Sequence, residues 1–140
     1  MRTRILGALA AASALLTTTA TAQAQTAVKQ GGGPPVPISQ LIADLKAAAP
    51  YTRNGAAYQL AHMGPAAAPA VPALIEALSD PVASVRYPVT IALREIGPAA
   101  KAAVPALKKV VEDDINDEVA ASAKQALRRI DPSAVDEDKK

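Results

Sequence analysis

The stretch VPALIEALSDPVASVRYPVTIALREIGPAAKAAVPAL, residues 71–107, begins and ends on the same four residues. Val71-Pro72-Ala73-Leu74 returns as Val104-Pro105-Ala106-Leu107, 33 positions on. Working outward, Gly64-Pro65 returns as Gly97-Pro98 at the same step, and Leu60, Leu93 and Leu127 keep steps of 33 and 34. Ile38, Leu41 and Leu45 stand 33 ahead of Val71, Leu74 and Leu78. Similarity at a fixed period of this size marks a stacked architecture, in which each unit buries its apolar stripe only against its neighbours. The expected fold is an all-α solenoid of about three helical hairpins, and such chains work through surfaces.

Six helices are predicted from apolar spacing and stop signals. The first spans Ser39 to Ala48 with Ser39 as N-cap, and the second spans Thr52 to Met63, ended by Gly64 and Pro65. The third covers Val71 to Ser79 after a short turn over Ala66 to Ala70. Asp80-Pro81 reads as N-cap followed by Pro at N1, opening a fourth helix that runs to Ile96. The fifth covers about Ala102 to Glu112, and the sixth runs from about Asp117 to Ile130. Pro88 falls inside the fourth and Gly55 occupies the matching place in the second, so a bend is expected at that level.

The 140 residues suffice for one domain and include no Cys, Phe or Trp. A core of Ala, Leu, Val and Ile requires helices that approach closely, since aromatic rings are not there to fill wide gaps. The formal charge is +2, but without Arg2 and Arg4 the chain balances 13 basic against 13 acidic residues. That balance gives no electrostatic reason to expect nucleic acid.

The first 24 residues have the parts of a secretory signal: Arg2 and Arg4, an apolar run from Ile5 to Leu16, then small residues with cleavage expected after Ala22 or Ala24. The run is too short for a comfortable transmembrane helix, so no membrane span is expected once it is removed. Export without cysteine suits a periplasm, with secretion beyond it also open. Residues 25–37 read as a linker, flexible at Gly31-Gly32-Gly33 and stiff at Pro34-Pro35-Val36-Pro37. The repeat domain is expected over 38–131, in units of about 38–64, 65–97 and 98–131, followed by a charged tail over 132–140.

Tetratricopeptide repeats share the length but want Trp, Tyr and Phe at set places that are absent here, and the Thr-Pro-Leu-His of ankyrin repeats is also absent. Asp80-Pro81-Val82-Ala83-Ser84-Val85-Arg86, then Ala92-Leu93-Arg94-Glu95-Ile96-Gly97, then Pro98 to Leu107 resemble HEAT repeats of the short, phycobilisome-lyase-like type. The resemblance covers roughly Ile38 to Ile130. It implies a ladder of Asp and Arg side chains tying neighbouring repeats, to which Arg53, Asp80, Arg86 and Asp114 can contribute. Ala47 and Ala120 stand where an Asp and an Arg are expected, so the implied ladder is partial.

Catalytic residues are scarce. His62 is the one histidine, and its place in the last turn of a helix gives it a structural role with the dipole. The serines lack the setting of an activated nucleophile. Glu112-Asp113-Asp114 with Asp117 and Glu118 fails the EF-hand spacing, and these acids are expected to cap the sixth helix instead. No metal and no cofactor are expected.

A surface is the better candidate. The resemblance implies that second helices line the concave face, which would present Asn54, Tyr58 and His62, then Tyr87, Ile91, Arg94 and Glu95, then Gln125, Arg128 and Arg129. Tyr58, His62, Tyr87, Arg94 and Arg128 are the partner-binding candidates, because Tyr and Arg combine apolar area with directional donors. The expected function is an exported, non-enzymatic protein-binding module or small scaffold with an unidentified protein or peptide partner. An accessory role of the lyase or chromophore-handling type and a self-associating envelope component remain alternatives. Leu41, Ile42 and Leu45 are expected to form an open apolar edge that leads either to a homo-oligomer or to modest stability, since terminal repeats need polar caps.

Overall fold

The computed structural model describes residues 34–136. The expected signal segment, most of the expected linker and the end of the tail lie outside the described residues. From Pro37 onward the chain forms one helical unit. Its elements are α1 (Ile38–Asp44), α2 (Pro50–Met63), a 3-10 segment (Gly64–Ala70), α3 (Val71–Ala77), α4 (Ala83–Ile96), a second 3-10 segment (Gly97–Ala103), α5 (Val104–Asp113), α6 (Asp117–Ile130) and a last turn, α7 (Ser133–Asp136). No strand occurs among the described residues.

The hairpins α1–α2, α3–α4 and α5–α6 each pack internally, and α2 packs on α4 as α4 packs on α6. The fold is therefore an all-α solenoid whose backbone of contact is the row of second helices. The first helices make their broad contacts with the second helices and the 3-10 segments rather than with one another. Equivalent leucines form the core: Leu41, Leu74 and Leu107 on the first helices, and Leu60 and Leu93 on the second, all at most 1% exposed. Burying each such side chain contributes about 1.5–3 kcal/mol.

The joints differ from the predicted turns, and small side chains are the reason. Ala67, Ala70, Ala100 and Ala103 are fully buried. Lacking bulk, they let a tight 3-10 segment press directly onto the following helix and onto the neighbouring 3-10 segment. Gly64 and Gly97 end the second helices with φ of 57° and 75° and ψ of −133° and −143°. That combination is essentially reserved for glycine and lies outside the left-handed helical well expected at a C′ residue.

Helix starts also depart from expectation. Pro37, with extended φ/ψ, is the N-cap of α1, so Ser39 lies within the helix, which ends at Asp44 rather than Ala48. Asp80 does not cap α4; the cap position is Val82. The Asp80 carboxylate accepts the Val82 N–H at 2.9 Å, which turns the chain two residues ahead of the helix. Asp114 accepts the Asn116 N–H at 2.9 Å in the same way. The cap of α6 is then Asn116, whose Oδ1 accepts the N–H groups of Glu118 and Val119, and not one of the neighbouring acids.

Pro88 is buried inside an unbroken α4. Proline has no N–H, so the carbonyl of Ser84, four residues earlier, loses its usual helical donor. Asn54 of the preceding repeat replaces it, donating from Nδ2 to that carbonyl at 2.5 Å. The expected open edge at the first helix is corrected as well: Leu41 and Leu45 are 1% and 4% exposed, and Ile42 packs half-buried against the core. Their side chains turn toward α2 and the first 3-10 segment, against which α1 packs.

Candidate protein-binding surface and the ladder beneath it

Two ion pairs cross between repeats. Arg53 on α2 donates from Nε and Nη2 to the Asp80 carboxylate at 2.6 and 3.1 Å. Arg86 on α4 donates to Asp114 at 2.7 and 2.8 Å through the same atoms. The four side chains are only 5–12% exposed. The third arginine nitrogen runs backward: Nη1 of Arg86 donates to the carbonyl of Asp80, and Nη1 of Arg53 donates to the carbonyl of Ala47. Ala47 thus keeps one of the bonds its position makes, because that bond uses the backbone. A carbonyl, an arginine and a carboxylate alternate along the solenoid, and Asp80 serves two rungs at once.

These bonds set the charge states. Burial alone would push the Asp80 carboxyl up, but the bonds from Arg53 and the Val82 N–H, with the charges of Arg53 and Arg86, outweigh it and hold it below the usual carboxylate range. The Arg86 bonds hold Asp114 low against a smaller opposing cost of burial. The hydrogen bonds to their carboxylates push both guanidinium groups up.

Further along the second helices than the ladder arginines stand the partner-binding candidates. Tyr58 is 39% exposed, His62 and Arg128 stand in solvent, and Tyr87 and Ile91 are half-buried against the core. Arg94 is held in place: Nε donates to Glu95 at 3.0 Å and Nη1 donates to Gln125 on α6 at 3.1 Å. The structure thus brings together Arg94, Glu95 and Gln125. Among the five partner-binding candidates, Arg94 is the one fixed by side-chain hydrogen bonds in the described residues.

Three features had little signal in the sequence. Thr90 and Ser122 share a buried hydrogen bond of 2.6 Å between α4 and α6, hidden because each is a lone hydroxyl on an apolar face. Tyr51, 88% exposed, lies two turns before Tyr58, the first of the partner-binding candidates. Between successive first helices open two solvent-facing clefts of about 310 and 340 Å³, floored by the Arg53–Asp80 and Arg86–Asp114 pairs. Their walls occupy equivalent positions, Leu45 and Ala73 in one and Leu78 and Ala106 in the other. Among the described residues no group of three or more metal-ligating side chains converges, and Asp114 of the acidic cluster is committed to Arg86.

The family profile described as HEAT repeats matches residues 38–128. The chain belongs to the HEAT-repeat family. No curated relative matches it. HEAT repeats commonly mediate contacts between proteins and are generally non-catalytic, which agrees with a site made of exposed helix faces. No helix among the described residues is long and apolar enough to cross a membrane.

Proposed function

We propose that this HEAT-repeat chain is an exported protein-binding module, or small scaffold, that docks a partner segment along the row of second helices. The observation that carries the proposal is the clamped Arg94, which follows half-buried Tyr87 and Ile91 at helical spacing along α4 and is bonded to Gln125 of the next repeat. A guanidinium already held in one geometry loses little freedom on binding, and its five-donor fork retains capacity for an incoming carboxylate or carbonyl. Tyr87 and Ile91 supply apolar area beside it, and Arg128 adds positive charge at the end of α6. The fitting partner is a protein segment with an acidic group next to apolar side chains.

Export is supported by the basic, apolar and small-residue sequence of residues 1–24, and a periplasmic or secreted location follows from it. The narrower likeness to the lyase-like branch rests on the Asp80–Gly97 motif and Pro98 to Leu107, and plays no part in this proposal. The test is affinity for a partner captured by cross-linking from the envelope fraction. Arg94→Ala is expected to weaken that affinity about tenfold, the effect of losing a modest interface anchor. Unchanged affinity in this variant, with helix content preserved, overturns the assignment of the surface.

A further inference from the structure

The repeat register shows which flank of α2 has no second helix against it among the described residues. In α4, the main-chain carbonyl of Ser84 accepts from Asn54 of the preceding repeat while the residue stays exposed, and Pro88, one turn on, is buried. In α6, Ser122 and Gln125 meet the preceding repeat through Thr90 and Arg94. Stepping these positions back to α2 lands on Tyr51, Gly55 and Tyr58. Gly55 and Tyr58 therefore lie on the flank that a preceding second helix would cover, with Tyr51 at its margin, where the counterpart Ser84 stays exposed, and within the described residues no repeat precedes α2.

That flank is not finished as a solenoid end. A terminal unit ordinarily turns a polar face outward. The far end does so: α7 packs on α6, Ala134 is buried, and Lys124 and Arg128 face solvent. The α2 flank instead shows Tyr51 at 88% and Tyr58 at 39% exposure around a glycine. A Cβ built on Gly55 meets nothing within 4 Å, so the glycine leaves a shallow hollow in the middle of the row.

We propose that a second copy of this chain covers the flank, with the two α2 helices antiparallel about a two-fold axis. The argument is continuity: α2 packs on α4 and α4 on α6, and an α2–α2 contact extends the same row by one more helix. Antiparallel pairing about a point between residues 55 and 58 seats each Tyr58 over the other copy's Gly55, a reciprocal knob and hollow as a two-fold interface requires. The helix Pro50–Met63 contains no acidic residue, and its Arg53 is committed to Asp80, so no carboxylate on α2 opposes the approach. A head-to-tail contact is disfavoured because α7 occupies part of the α6 end.

Light scattering on the purified protein after size exclusion tests the proposal. The expected result is twice the chain mass, falling by half in Gly55→Glu and in Tyr58→Ala, with the helical dichroism of both variants retained. A monomer at every concentration overturns the proposal, whether solvent or another part of the chain covers the flank. A dimer that survives both substitutions overturns it equally, since its contact then lies elsewhere.

Discussion

Removing either member of the Arg86–Asp114 pair is the perturbation for which the structure makes the sharpest energetic statement. Two bonds of 2.7 and 2.8 Å join side chains that are 12% and 5% exposed. Breaking a shielded pair from one side costs about 3–5 kcal/mol when the surviving charge is left without partners. Here each survivor keeps one: Arg86 still reaches the Asp80 carbonyl and Asp114 still accepts the Asn116 N–H. Both also keep an edge to water, so Arg86→Ala and Asp114→Ala should each cost about 2–3 kcal/mol. The double variant should fall short of their sum by about 1–2 kcal/mol, the coupling of the pair.

Lys46–Glu76 is the internal control. It is equally short at 2.8 Å, but its side chains are 62% and 64% exposed. Its coupling should be at most about 0.5 kcal/mol, because solvent screens it and two long side chains must be ordered to form it. Urea unfolding followed by far-ultraviolet dichroism measures both cycles on the same footing. If the exposed pair couples as strongly as the shielded one, the account of the ladder as the fastening between repeats is wrong.

Acid should loosen the same fastening. Asp80 and Asp114 have lowered carboxyl values in the folded state, so the unfolded chain binds more protons at acid pH and stability rises with pH there. Their contribution is present above the unfolded value of about 3.9 and is lost as pH falls through the folded values, and Asp114→Asn should flatten the decline of the urea midpoint in that window. Gly97→Ala should cost about 1–3 kcal/mol despite open space around a Cβ, because φ is 75°, whereas Gly55→Ala in the interior of α2 should leave the monomer unchanged or up to about 1 kcal/mol more stable by thermal unfolding. Thr90→Val should cost about 1–3 kcal/mol by stranding the buried Ser122 hydroxyl, and adding Ser122→Ala should recover much of that loss in the same urea assay.

Side-chain periodicity made the architecture legible. Leu41, Leu74 and Leu107 recur because each unit must present the same apolar stripe to its neighbour, and the glycines before Pro65 and Pro98 recur because the joint needs a positive φ. Backbone roles were not legible. Ala47 read as a gap in the ladder, yet its carbonyl accepts the bond that the Asp80 carbonyl accepts one repeat later. Asp80 read as a helix cap because Asp-Pro is a common helix opening, but its carboxylate is held by a long-range partner, Arg53, and the helix starts later. Leu41 and Leu45 read as an open edge because one sequence cannot show which way a terminal helix turns its stripe. The exposed edge is on α2, at Tyr51 and Tyr58, and it emerges only when the repeat register is combined with known contacts between α4 and α6.

A photo-reactive residue placed in turn on two surfaces tests most directly whether partners use the second helices. One position is Ile91, on the row formed by α2, α4 and α6; the other is Lys109, on the wall of the cleft between first helices. The account predicts a partner adduct from position 91 that is lost when Arg94 is replaced by alanine, and none from position 109. Adducts formed only from position 109 would contradict it and move the functional surface to the clefts.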